Sequence, residues 1–189
     1  KHSVDGLRLA CGTKVLETLW VRGTLPVQAW KNLGESKWPS LQEVYLYECF
    51  KENGAGAAEV LRAVASAGTS LTKINLRGCK KIPSEAWKNL GESKWPSLQE
   101  VDFFKCFEDN GAGAAQVPRA VASAGTSLKK LDLVYCKKIP SEAFAAIPDG
   151  TWPNLEFWRS SLVGALSEEE KARLTGGRNY GWEDGKLLR

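Results

Sequence analysis

Apolar positions recur along this chain in one fixed pattern. Leu, two residues, an apolar residue, one residue, another apolar residue, two residues and Cys span Leu41–Cys49, Leu71–Cys79, Leu98–Cys106 and Leu128–Cys136, with starts 30, 27 and 30 residues apart. Leu155 follows after another 27 residues, and an earlier copy, Leu16–Thr24, keeps the apolar spacing with Thr in place of Cys. The alternation inside each segment is that of a short strand. In the Leu41 copy it predicts Leu41, Val44 and Leu46 facing a core, with Glu43, Tyr45 and Tyr47 facing away. Five clear strands and a degraded sixth near Leu155 are therefore expected, stacked as a parallel sheet about 24 Å across at the usual strand spacing.

The return limbs between strands follow two alternating designs. In one, Pro26 stands at a first helical position, and Ala29, Trp30 and Leu33 lie on one face of the helix that follows. Pro83 and Pro140 are expected to open the same helix again. In the other, Ala57–Ala65 predicts a slim Ala/Val helix closed near Gly68. Its second copy carries Pro118 where the first has Leu61. An interior proline costs a helix about 3 kcal/mol, so that helix should start late or kink. Ser167 with Glu170 forms a capping-box start for a closing helix that stops at Gly176-Gly177. The tail carries Trp182, Leu187 and Leu188 and is expected to fold back over the last repeat. Residues 4–11 offer Leu7 and Leu9 to a core, a partial N-terminal cap. The expected organisation is a cap over 1–15, repeats over 16–163, and a capping helix with tail over 164–189.

The two designs together make a 57-residue unit that is duplicated. Residues 29–44 recur unchanged at 86–101, and the 57 residues from Leu25 differ from the 57 from Ile82 at 16 positions. A third copy begins at Pro140, keeps Phe144, Trp152, Pro153 and Leu155 in phase, and then departs. With these residues in view, the repeated segment resembles the signature of leucine-rich repeat proteins over roughly residues 16–163. Alternation of two repeat types looks like the ribonuclease-inhibitor class, and Cys at the ninth position resembles the cysteine-containing class. The resemblance implies an α/β leucine-rich repeat solenoid, a short right-handed horseshoe with parallel strands on its concave face and helices on its convex face. It does not imply one function, because the family binds very diverse partners.

Composition narrows the field further. With 189 residues, 43% hydrophobic and 25% charged, the chain fits an ordinary globular domain or one array. Its net charge of +4 comes from 26 basic and 22 acidic residues interspersed along the chain, too mild a bias to imply nucleic acid. No stretch approaches the roughly 20 apolar residues of a membrane span, so no membrane insertion is expected, and no signal-peptide pattern is present. The chain has no Met and begins Lys1-His2-Ser3, which predicts a processed form, a fragment or the ordered part of something longer.

Candidate chemistry is sparse. Cys49, Cys79, Cys106 and Cys136 share one repeat position, with no Cys-x-x-Cys pair, and are expected as buried free thiols at the turn after each strand. Such a ladder fits an intracellular, reducing compartment, cytoplasm or organelle interior. Cys11 reads as a cap residue. The one histidine, His2, is a terminal residue and leaves no His-based metal cluster or catalytic triad. Gly54-Ala55-Gly56 and Gly111-Ala112-Gly113 precede helices but lack the third Gly or the Lys-Ser/Thr of a phosphate loop, so they are read as strand-to-helix bends. Lys80-Lys81 and Lys137-Lys138 read as a solvated edge. Trp38, Trp95 and Trp152, each before Pro, read as a stacked framework spine. No cofactor, metal or catalytic residue is expected.

The 16 differences between copies concentrate in the strands. All of positions 45–48 change at 102–105, and four of the five positions 74–78 change at 131–135. Outward strand positions form two columns: Trp20, Tyr45, Asn75, Asp102, Asp132, and Arg22, Tyr47, Arg77, Phe104, Val134. Aromatic and Arg side chains on a solvent face are the material of protein-binding hot spots. The expectation is a non-enzymatic protein-interaction module that engages another protein through this face. A structural or accessory subunit of a larger multiprotein assembly is the alternative.

Overall fold

The computed structural model describes residues 16–92, 94–107, 111, 113–161, 166–177, 182–183 and 186–187. The expected N-terminal cap, with His2, Leu7, Leu9 and Cys11, lies outside the described residues, as do Ala112 and Leu188. The protein is α/β. Strands β1 (Thr18–Arg22), β2 (Glu43–Tyr47), β3 (Lys73–Asn75), β4 (Glu100–Asp102), β5 (Lys130–Leu133) and β6 (Phe157–Ser160) lie side by side in chain order, every pair parallel. Their register aligns Leu19, Val44, Ile74, Val101, Leu131 and Trp158 in one row, all buried. Two short strands, β7 (Trp182–Glu183) and β8 (Lys186–Leu187), form a hairpin whose β8 pairs antiparallel with β6 at the sheet edge.

Helices α1 (Val27–Gly34), α2 (Ala57–Ala65), α3 (Ser84–Gly91) and α4 (Gln116–Ala122) occupy the return limbs, each packed against the next. Their apolar faces join the inward strand residues in one core in which Trp30 and Trp87 lie 4.7 Å from Phe50 and 4.5 Å from Phe107, centroid to centroid. Bulky and slim helices alternate, so a Trp helix always faces an Ala/Val helix. The glycine pair before α2 permits this approach. A Cβ on Gly54 would sit 1.9 Å from the Lys81 carbonyl oxygen, and one on Gly56, whose φ is +85°, would sit 2.4 Å from Trp30 Cβ. The bend reading of these glycines thus has a packing cause.

Proline sets one return limb as the sequence predicts, and the decay of the third copy changes another. Helix α4 starts at Gln116, two residues later in phase than α2, which places Pro118 in the first turn where its missing N–H is not needed. After Pro140 the chain forms a 3-10 turn, Ser141–Phe144, rather than a third copy of α1. Helix α5 (Glu168–Leu174) carries the expected capping box: Ser167 Oγ accepts from Glu170 N at 3.1 Å, and Glu170 Oε2 accepts from Ser167 N at 2.8 Å. Arg173 on this helix donates to the Ile147 and Phe144 carbonyls at 2.6 and 3.0 Å, tying it to the third copy.

Candidate interaction surface

The sheet face opposite the core splits the predicted columns into supports and contacts. Trp20 is 47% exposed, whereas Asn75 and Asp132, expected to face solvent, are buried at 5% and 7%. The reason is local hydrogen bonding. Asn75 Oδ1, Asp102 Oδ1 and Asp132 Oδ1 each accept the backbone N–H two residues on, from Arg77, Phe104 and Val134, all at 3.0 Å. Each carboxylate or amide is folded against its own strand end and lies beneath larger neighbours. Asn75 Nδ2 donates across to Asp102 Oδ2 at 3.1 Å and to the Tyr47 hydroxyl at 3.2 Å. Asp132 Oδ2 accepts from Arg159, and the Arg77 guanidinium lies 3.6 Å from Asp102 Oδ2. Burial pushes the Asp102 carboxyl above its ordinary value of 3.8, with the charge of Asp132 adding to it; the Phe104 N–H and Arg77 oppose the rise.

Beyond these supports the chain builds a groove of about 460 Å³ across the ends of β1 to β4. Five of the ten predicted contact residues line it: Trp20, Arg22, Tyr47, Arg77 and Phe104. Its walls also include Glu48, Gly78 and Lys105, which the column argument passed over. The rings lie near one another: Trp20 and Tyr47 at 6.4 Å, Tyr45 stacked on Tyr47 at 6.4 Å, and Phe104 edge-on to Tyr135 at 5.2 Å. The Arg77 guanidinium lies 3.9 Å over the Phe104 ring, and Lys105 Nζ stands 5.4 Å from Phe104 and 5.1 Å from Tyr135. Val134 lies beyond the groove, partly buried.

One column of this surface is held in an unusual backbone conformation. The residue after each outermost strand position has positive φ: Gly23 at +81°, Glu48 at +54°, Gly78 at +77°, Lys105 at +62° and Tyr135 at +59°. The conformation is imposed by pairing, since the N–H groups of Gly23, Glu48, Gly78 and Lys105 reach the next segment's carbonyls at 2.8–3.0 Å. Glycine adopts it freely, while another residue pays about 1–2 kcal/mol. Glu48, Lys105 and Tyr135 therefore sit where glycine would be easier, and Glu48 and Lys105 both face the groove. Strained side chains of this kind cluster at functional surfaces.

At the other end of the same face two lysines share one carboxylate. Glu100 receives Lys73 and Lys130, each at 2.8 Å. Burial alone would raise the Glu100 carboxyl, but the two lysines outweigh it and hold it below 4.5. Lys73 is raised by its bond to Glu100, and it stands 5.3 Å from the Tyr45 ring.

The remaining candidates behave as framework. The thiols of Cys49, Cys79, Cys106 and Cys136 are free and buried, and each donates to a carbonyl of a preceding repeat, from 2.8 Å at Leu46 to 3.4 Å at Val21. Burial pushes Cys79 and Cys136 up to about 12 and raises the other two as well. Trp38, Trp95 and Trp152 are wholly buried, and each carbonyl accepts the N–H of the Leu three residues on, at 3.0–3.2 Å, closing the turn that leads into the next strand. Lys81, Lys137 and Lys138 are exposed. Among the described residues, no group of three or more His, Cys, Asp or Glu could hold a metal ion, and no helix is long and apolar enough to cross a membrane.

No protein-family model, curated protein or solved structure matches the chain. The surface is therefore read from its own residues. Arg159 was missed because the third copy departs from the apolar signature, yet it lies one 57-residue period beyond Asp102 and two beyond Tyr45. Glu48, Lys105 and Tyr135 also carried a signal, since the residue before Cys changes from copy to copy while its neighbour Cys does not.

Proposed function

We propose that this chain is a non-enzymatic protein-interaction module of the leucine-rich repeat type, a short right-handed solenoid whose concave sheet face binds another protein. The observation that carries the reading is the groove over β1 to β4, where aromatic and cationic side chains meet and two lining residues, Glu48 and Lys105, stand at positive φ. Glycine takes the same conformation freely at positions 23 and 78. The alternation of strand and helix at 27- and 30-residue intervals, with parallel register throughout, supports the solenoid assignment. Four buried free thiols favour a reducing compartment.

The test separates the two faces. Tyr47→Ala with Phe104→Ala removes two anchors from the groove while leaving the core residues Leu46 and Phe103 in place. Capture of the partner by the full chain should weaken by about 2 kcal/mol or more, as hot-spot truncations do, with thermal stability nearly unchanged. Lys31→Ala with Lys88→Ala, on the exposed sides of α1 and α3, should leave capture intact. Loss of capture on the helix changes alone would move the site to the convex side.

A further inference from the structure

Resting on that reading, we infer that the groove takes a short extended acidic segment of its partner, with carboxylates at both ends and apolar side chains between them. The charges of the lining are unequal: Arg22, Arg77 and Lys105 against Glu48. Arg22 and Lys105 make no salt bridge among the described residues, and Arg77 meets Asp102 at 3.6 Å while also covering Phe104. At the other end of the face, Lys73 and Lys130 share the one carboxylate of Glu100. The groove lining therefore carries an excess of positive charge, interleaved with Trp20, Tyr47 and Phe104.

The dimensions and the one carboxylate select the ligand. Four strand ends span three gaps of about 4.8 Å, so the groove is about 14 Å long and holds about four residues of extended peptide. Arg22 stands at one end and Arg77 with Lys105 at the other, and Glu48 lies between them on the second segment. A continuous polyanion would bring a phosphate against Glu48, the one carboxylate in the lining. An acid–apolar–apolar–acid segment instead places its carboxylates on the cations and its middle on the rings. Charge complementarity of this kind sets partner choice and encounter rate, and it is weakened by salt.

Fluorescence anisotropy with the full chain tests this, using a labelled decapeptide with a Glu-Phe-Leu-Glu core in Gly/Ser flanks, its Gln-Phe-Leu-Gln counterpart and a ten-residue oligothymidylate. The acidic peptide should bind at least about ten-fold more tightly than either competitor and weaken with added salt. Arg22→Glu with Lys105→Glu should remove that advantage, while Lys31→Glu with Lys88→Glu should not. Glutamate at position 105 is compatible with the fold, because Glu48 occupies the same backbone conformation one 57-residue unit earlier. Equal binding of the acidic and Gln peptides, or no binding of the acidic peptide, overturns the inference. Tighter binding of the oligonucleotide, lost on the same substitutions, overturns it in favour of a nucleic-acid ligand. The underlying reading fails separately, when partner capture survives Tyr47→Ala with Phe104→Ala.

Discussion

Glu48→Gly should make this protein more stable, and the magnitude follows from backbone geometry. Glu48 is exposed, sits at φ +54°, and takes part in the sheet through its N–H, which donates to the Arg77 carbonyl at 2.8 Å. Glycine keeps that bond. It relieves about 1–2 kcal/mol of left-handed strain and adds about 0.5–1 kcal/mol of chain entropy to the unfolded state. The net expectation is a gain of about 0.5–1 kcal/mol, or roughly 2–3 °C in Tm for a chain of this size. The reciprocal change checks the reasoning without confounding contacts. A Cβ on Gly23, at φ +81°, meets nothing within 4 Å, so Gly23→Ala should lose about the same amount through the backbone alone. Gly78→Ala should lose more, since its Cβ would stand 2.9 Å from Glu48 Cγ, and part of the excess should vanish in the Glu48→Gly background. Thermal and urea unfolding of the four variants measure this. A loss of more than about 1 kcal/mol in Glu48→Gly would refute the strain argument, and with it the inference that a side chain is kept there for its contacts.

Other expectations rest on burial and charge. Trp95→Ala should destabilise by about 3–5 kcal/mol, because the indole is wholly buried in the turn that leads into β4; a loss under about 1 kcal/mol in denaturant titration would contradict that placement. Native protein should label slowly with a thiol reagent at Cys49, Cys79, Cys106 and Cys136, whose raised pKa keeps thiolate scarce at neutral pH; fast labelling or any disulfide among them would remove the ladder. Carboxyl NMR titration should place Asp102 above 3.8 and Glu100 below 4.5. The folded state then binds the Asp102 proton more tightly, so the Asp102 contribution to stability declines as pH rises from 3.8 through its folded value. The contribution of Glu100 is present above 4.5 and declines as pH falls through its folded value; reversed midpoints would contradict the burial and lysine arguments.

What the chain reveals by itself is whatever recurs with the period of the framework. Val44 and Leu46 sit inside because alternation along a strand admits no other face once a core exists, Leu41 is turned inward by the bend before β2, and the same spacing placed β1 to β5. The cysteine ladder, the capping box at Ser167 and the displaced start of α4 at Pro118 were equally legible, since each depends on residues within one turn or one repeat. The outward columns were legible as positions but not as environments. Alternation assigns Asn75 and Asp132 to the open face, yet short polar side chains there bend onto the N–H two residues ahead, and larger neighbours from adjacent strands cover them. Only the packed sheet sets Arg77 on Phe104, couples Arg159 to Asp132 between neighbouring strands, and brings Lys73 and Lys130 together on Glu100, while Arg22 and Lys105 make no salt bridge among the described residues. Those contacts join residues 27 to 30 or more positions apart, and their distances depend on strand register and twist. The positive φ at Glu48, Lys105 and Tyr135 belongs to the same class. At Glu48 and Lys105 it accompanies a backbone hydrogen bond to the next segment, so its cost becomes visible only when the strands are assembled.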